Sequence, residues 1–267
     1  MESNQPNFKN SLVSVIIPVF NASSFIEDTV KSVIDFAEVG EVILVDDGST
    51  DGSYEKCKKL ESELDKVRLL SHKDQQNLGA ANSRNLGIQS SNYSYISFLD
   101  ADDIYFPNRF ESSIKALETN IELDACFGSV EVNFEETNSR KLMGALSWSN
   151  DTSLLSYLLN GGYFHTNAIT IKKSFFLKTG YFNQSCWPHE DSELWIRMAA
   201  LGTIEKIADE EPLASYRIHR SNLSRKQVKN TKLIMYQIVM GNAFKLDFSL
   251  HQKILVLKQI FKSLLNV

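Results

Sequence analysis

Cysteine is scarce in this chain: three residues among 267, at positions 57, 126 and 186, in no spacing suited to a metal site. That scarcity argues against a disulfide framework and for a reducing compartment. Long apolar runs are also missing, since none approaches the roughly 18 residues that span a bilayer. The opening MESNQPNFKN (1–10) is polar, lacks the build of a secretory leader, and reads as a disordered lead. Neither GxxxxGK[ST] nor GxGxxG occurs, which disfavours a P-loop enzyme or a dinucleotide oxidoreductase. There is no internal repeat and no low-complexity tract. The expectation is a cytoplasmic protein, with any membrane contact peripheral and at the inner face.

What remains is an ordinary globular composition, 43% hydrophobic and 23% charged, with five prolines. The net charge of −5 hides an asymmetry. Residues 212–267 hold ten Lys/Arg and a single acid, Asp247, hence +9, which leaves −14 on residues 1–211. A basic tail on an acidic body suits an anionic partner such as a membrane face, or docking on its own body. A body at −14 opposes a polyanion, so nucleic-acid binding is not expected.

Apolar runs alternate with helical patterns over the first hundred residues. SLVSVIIPVF (11–20) and EVILVDDGS (41–49) read as buried parallel strands, followed by VRLL (67–70) and YSYISFL (93–99). Between the first two, Ile26, Val30, Val33, Ile34 and Ala37 recur at helical spacing, with Ser24 and Glu27 as a capping box. Further helices are expected near 54–64, 79–89, 109–119 and 190–201, and strands at 126–134, 166–172 and 213–218. This predicts an α/β fold: a Rossmann-like, mostly parallel central sheet flanked by helices, with a C-terminal helical extension. Ligands of such sheets bind at the carboxyl ends of strands, so Asp46–Asp47 and Asp100–Asp102 should share one crevice.

In SFLDADDIYFP (97–107), an extended backbone aims Asp100 and Asp102 to one side and turns Ala101 away. Two such carboxylates suit Mg²⁺ or Mn²⁺, or else form a solvated turn in which Asp103 caps the next helix. VDDGSTD (45–51) offers acceptors for a base or ribose, or a helix cap at Asp51. NLGAANSRN (77–85) adds Arg84, a forked donor for a diphosphate or an ion-pair partner of the aspartates. In WPHEDSELWIRMAALG (187–202), Asp191 continues an apolar stripe through Leu194, Met198 and Leu201 at a helix start. It serves as a base facing a cleft, or it and Glu190 merely charge the first turn.

The ordered series SVIIPVFN, VDDGSTDGS, NLGAANSRNLGI, FLDADD and HEDSELWIRMA resembles the family-2 glycosyltransferases, closely over 13 to about 110 and loosely over 160 to about 222. The resemblance implies a nucleotide-sugar transferase of the A-type fold. It implies a catalytic domain over 11–222, with a nucleotide-binding half (11–110) and an acceptor half (111–222), ahead of a basic tail (223–267). It implies donor binding by Pro18, Phe20, Asn21, Asp47, Arg84, Asp100, Ala101 and Asp102, with Asp47 reading a uracil edge. Phe20 stands where the family often has tyrosine, keeping the stacking face without the hydroxyl. The implied ligands of Mn²⁺ or Mg²⁺ are Asp102, Asp100 and His219, the last in YRIHRSNLS (216–224), and the implied base is Asp191.

These roles imply an inverting transfer of one sugar, from a UDP-sugar by preference, to a saccharide or lipid-linked acceptor in surface polysaccharide or glycolipid synthesis. The Gln-x-x-Arg-Trp segment and membrane spans of processive relatives are absent. Rival readings are another metal-dependent phosphate enzyme and an inactive binding module. In the tail, Ile254, Leu257, Phe261 and Leu264 form a stripe beside Lys253, Lys258 and Lys262. Such a helix suits a membrane surface, its own domain, or a homodimer interface.

Overall fold

A computed structural model describes residues 12–144, 148–207, 211–219, 231–243 and 245–265. The lead at 1–10 and the 220–224 part of YRIHRSNLS lie outside the described residues.

The apolar runs become β1 (Val13–Val19) and β2 (Val39–Asp46), joined by α1 (Ile26–Ile34), and every residue of β1 except Pro18 is buried. Burial on both faces explains the lack of polar alternation, and each enclosed Val, Ile or Leu contributes about 1.5–3 kcal/mol. α2 (Ser53–Glu63), β3 (Val67–Ser71), α3 (Ala80–Ser90) and β4 (Tyr95–Phe98) continue the alternation. With β6 (Ala125–Phe127), β9 (Ile169–Lys172) and β10 (Ile204–Lys206) they form a seven-stranded sheet, ordered β10-β6-β9-β4-β1-β2-β3. Only β9 runs antiparallel to its neighbours, so the expected mostly parallel sheet is present.

A smaller sheet, ordered β5-β11-β7-β8, packs beside it from β5 (Ile104–Tyr105), β7 (Val130–Phe134), β8 (Ser139–Met143) and β11 (Ala214–Ile218). The remaining helices are α4 (Glu111–Thr119), α5 (Leu154–Leu159), α6 (Phe175–Thr179), α7 (Glu190–Leu201), α8 (Thr231–Asn242) and α9 (Leu250–Leu265). The large sheet crosses residue 110 without a break. Met235, Tyr236, Val239, Leu255 and Val256 of α8 and α9 join the same core as Trp195 of α7 and Leu158 of α5.

Several local expectations are corrected. The strand expected over 126–134 divides at Gly128–Ser129 into β6 and β7, which belong to different sheets. The first residues of 166–172 form a 3₁₀ turn, Thr166–Ala168. The Ser24–Glu27 box does not form: α1 is capped at Phe25 without a side-chain bond, and Glu27 faces Lys56 at 3.5 Å. Asp51 stands one residue before the cap position of α2, Gly52 at φ 90, yet its Oδ1 accepts from the first helical N–H, that of Ser53, at 3.0 Å.

Arg109 is fully buried. Its guanidinium donates to the Asn167 and Ile169 carbonyls and to Ser97 and Thr170 hydroxyls, and lies 4.7 Å from the ring centres of both Tyr105 and Phe110. It ties the β4–β9 junction to the start of α4, just behind the aspartate turn.

Candidate functional site

β1 has β4 on one side and β2 on the other, so the chain leaves its carboxyl end in opposite directions and opens a crevice there. A cavity of about 750 Å³ fills it, lined by Pro18, Phe20, Asn21, Asp47, Arg84, Asp100, Ala101, Asp102 and His219 among others. Eight donor-binding candidates and a histidine more than a hundred residues away thus meet in one place.

The loops after β1 and β2 are laced together. Asn21, left-handed at φ 51, accepts from the Thr50 N–H at 2.8 Å, while Ala22 and Ser23 N–H donate to Ser53 Oγ and Asp51 Oδ2. Asn tolerates that conformation at small cost. Burial raises Asp51, but hydrogen bonds from Ser53 and Ser23 outweigh it and bring its pKa to about 2. Asp47 is nearly fully buried and uses both oxygens on the next loop, accepting from Leu78 N–H at 2.8 Å and Gly79 N–H at 2.9 Å.

The aspartate segment is a turn rather than extended chain, closed by the Asp103 N–H on the Asp100 carbonyl at 3.0 Å. Asp100 and Asp102 still border the cavity. Ala101 is buried, and its carbonyl accepts from Thr29 Oγ1 at 2.9 Å. Asp103 does not cap α4. It is fully buried, accepting from Asn167 Nδ2 at 2.5 Å and Arg217 N–H at 2.7 Å.

Each neighbour is answered separately. Asp100 pairs with Arg84 at 2.7 Å, the ion-pair reading of that arginine, and Arg84 also reaches Glu190 at 3.4 Å. Asp102 Oδ2 lies 3.0 Å from His219 Nε2. β11 brings that histidine in. It pairs antiparallel with β5, Ser215 opposite Ile104, so continuing past Ser215 leads back along the chain toward Asp102. Phe25 stacks on the His219 ring at 4.5 Å.

Several acids of this wall are held above their ordinary range. Burial and the Asp100 charge hold the Asp102 carboxyl above the usual range despite His219. Burial, with Asp102 and Asp100, raises Asp103 well above it. Burial also raises Glu190 against the pull of Arg84. Burial opposes the Arg84 charge, yet Asp100 and Glu190 hold its pKa above the ordinary value. Arg84 Nε and Glu190 Oε2, both buried, have no hydrogen-bond partner among the described residues.

Asp191 stands elsewhere. It borders a second cavity of about 320 Å³ with Gly162, Tyr163, His189, Lys232, Met235 and Tyr236. Its Oδ2 accepts from Tyr163 Oη at 2.9 Å and Thr166 Oγ1 at 3.4 Å, and its Oδ1 from the Ser192 N–H at 2.6 Å. Pro188 lines both cavities, and the adjacent acids Glu190 and Asp191 serve one each.

Sequence reasoning missed Phe25, Tyr216 and Arg217 around the first cavity and Tyr163, Lys232 and Tyr236 around the second, and gave Glu190 no role beyond charging a helix start. Arg217 packs over Phe25 and its Nε donates to the Asp102 carbonyl. The one signal available was the pair Glu190–Asp191 at a helix start, where neighbouring residues diverge by about 100°. Among the described residues no three His, Cys, Asp or Glu side chains group as a metal cluster; Asp102 and His219 lie together, while Asp100 is paired with Arg84.

The fold is that of solved structures of TarS. Staphylococcus aureus TarS 1–349 in complex with UDP-GlcNAc superposes with a TM-score of 0.75 at 16% identity, covering 94% of this chain and 72% of that one. An uncharacterized glycosyltransferase of Haemophilus influenzae is 29% identical over 223 residues, 80% of this chain and 67% of that protein. One from Rickettsia felis is 29% identical over 219 residues, only 35% of its own length. The putative teichuronic acid biosynthesis glycosyltransferase TuaG of Bacillus subtilis is 38% identical over 117 residues, 43% of this chain and 44% of that protein. The family described as glycosyl transferase family 2 matches residues 14–179, which holds the whole aspartate turn and stops short of Asp191 and His219. With more than half its length matched, the chain belongs to glycosyl transferase family 2.

Proposed function

We propose that this glycosyltransferase moves one sugar from a nucleoside diphosphate donor, UDP-sugar by preference, to an acceptor hydroxyl with inversion, in surface polysaccharide or glycolipid synthesis. The observation that carries this reading is the division at Pro188. One cavity gathers the residues expected to hold the donor and the other an oriented carboxylate, and Pro188 borders both. The UDP-GlcNAc bound to TarS and the teichuronic acid role named for TuaG support the donor and the pathway class.

The donor occupies the larger cavity. Phe20 offers a ring face to the base, Asp47 lies in the wall beside it, and Arg84 brings a forked cation to the side where the phosphates lie. Asp102 and His219 are a carboxylate and an imidazole at 3.0 Å, in a wall where burial raises the acids. That donor set fits Mn²⁺ or Mg²⁺ when diphosphate oxygens and water complete the shell. When bound, the cation supplies positive charge to the departing diphosphate.

The acceptor enters the smaller cavity. Asp191, oriented by Tyr163 and Thr166, takes the proton of its hydroxyl while the oxygen attacks the anomeric carbon from the face opposite the diphosphate. The new C–O bond forms as the sugar–phosphate bond breaks, the electron pair leaves on the diphosphate, and the anomeric centre inverts. The C-terminal segment adds Lys232, Met235 and Tyr236 to this cavity, in keeping with an acceptor-selecting role and peripheral membrane contact for the tail.

Thermal unfolding with UDP, GDP, CDP and dTDP, each with Mn²⁺ or with EDTA, tests the donor half. A ligand at 100 times its dissociation constant adds about 2.7 kcal/mol. The expected result is a rise with UDP and Mn²⁺, removed by EDTA and by Asp102→Ala. No rise with any nucleotide contradicts the reading.

A further inference from the structure

The last helix breaks the pattern expected of a helix lying on its own domain. Such a helix buries an apolar stripe and gives solvent a polar face. α9 buries Leu255 and Val256 and packs on α8 and α5. Its opposite face is apolar as well. Leu250, Ile254, Leu257, Phe261 and Leu264, at helical spacing, are 75%, 41%, 55%, 64% and 52% exposed. The stripe seen in the sequence is therefore the outward one, and docking on the body does not account for it.

Charge selects the occupant. Lys253 borders the stripe on one side and Lys258 and Lys262 on the other, and no acid occurs after Asp247. A second copy docked face to face would set these lysines against one another, whereas an anionic surface draws them in. The helix has 16 residues, about 24 Å, and no helix among the described residues is long and apolar enough to cross a membrane. It suits lying in the headgroup plane with its stripe in the acyl boundary. Its position fits that use, because α9 packs on α8, which supplies Lys232, Met235 and Tyr236 to the cavity holding Asp191.

We propose that the outward face of α9 is a docking surface for an anionic bilayer, placing the smaller cavity one helix from the membrane. The benefit to a lipid-anchored acceptor rests on the function proposed above; the docking itself does not.

The test is co-sedimentation of the full chain with vesicles of phosphatidylcholine alone or mixed with phosphatidylglycerol. Binding is expected on the mixed vesicles only and should weaken with salt. Leu257→Ser/Phe261→Ser and, separately, Lys258→Glu/Lys262→Glu should each lower partitioning roughly ten-fold or more. These positions are exposed, so the nucleotide-induced rise in melting temperature should be unchanged in both variants. That readout separates failure of docking from failure of the donor site. Absence of binding to anionic vesicles, equal binding to neutral ones, or a dimer dispersed by Leu257→Ser/Phe261→Ser would each overturn the proposal.

Discussion

The two cavities on either side of Pro188 were built by different means. The larger draws on loops that follow β1, β2, β3 and β4, where each strand end delivers a short polar motif to the same edge. The smaller is assembled from the end of α5 and the stretch after it, the start of α7 and one face of α8, three segments spread between Leu158 and Tyr236 with no shared pattern. A site at a parallel sheet's carboxyl edge inherits its position from topology. A site between helices depends on how their side chains pack.

The sharpest way to break this division is Asp191→Asn. Turnover should fall by about 10²–10⁴ while the donor dissociation constant stays put, as measured by transfer kinetics beside calorimetry. Loss of donor binding as well would mean the two cavities act as one.

Asp47→Ala probes the larger cavity alone. Removing the acceptor of the Leu78 and Gly79 N–H groups frees that loop of the cavity wall, and nucleotide affinity should drop about 100-fold, some 2.7 kcal/mol. An unchanged affinity would show that the loop holds without it.

A control away from both cavities is Glu41, buried in β2, which accepts from Ser14 Oγ, Asn92 N–H and Arg68. Burial raises its pKa, but these hydrogen bonds and the Arg68 charge outweigh it and leave the carboxyl below its ordinary 4.5. A lowered acid stabilises the fold above its unfolded pKa and loses that contribution as pH falls through the folded value. Glu41→Gln should therefore cost about 1–3 kcal/mol at pH 7, a gap that shrinks below about pH 4.5 in denaturant melts followed across pH. Ligand binding should not change.

The smallest effect is expected for Tyr163→Phe. The Asp191 carboxylate keeps Thr166 and Ser192 but loses one donor, so turnover should change by about ten-fold or less, with donor affinity intact.

Much of the fold was legible because its signals are local. Buried β-branched runs mark β1 and β2, and Gly79, at φ 88, starts α3 where a polar loop meets it. The errors arose where a distant residue intervened. A helix cap was one of the two readings open for Asp103 because that is the nearest task for an aspartate, yet Asn167 and the Arg217 backbone reach it from far along the chain. The partners of the crowded aspartates likewise come from outside the turn: Arg84 pairs with Asp100, and His219 reaches Asp102 from more than a hundred residues away. The smaller cavity had no legible signal beyond Asp191, since its wall residues on α8 sit in an ordinary amphipathic pattern.

The sequence by itself determined the alternating architecture, the polar motifs at the strand ends and their convergence on one edge, because hydrophobic period and short connections dictate parallel order. The tertiary structure alone decided which acid faces which cavity, that β5 and β11 carry His219 to Asp102, and which stripe of α9 is turned outward. Those outcomes depend on strand register and helix rotation, where a shift of one residue moves a side chain to another face, and no local pattern encodes the partner that fixes them.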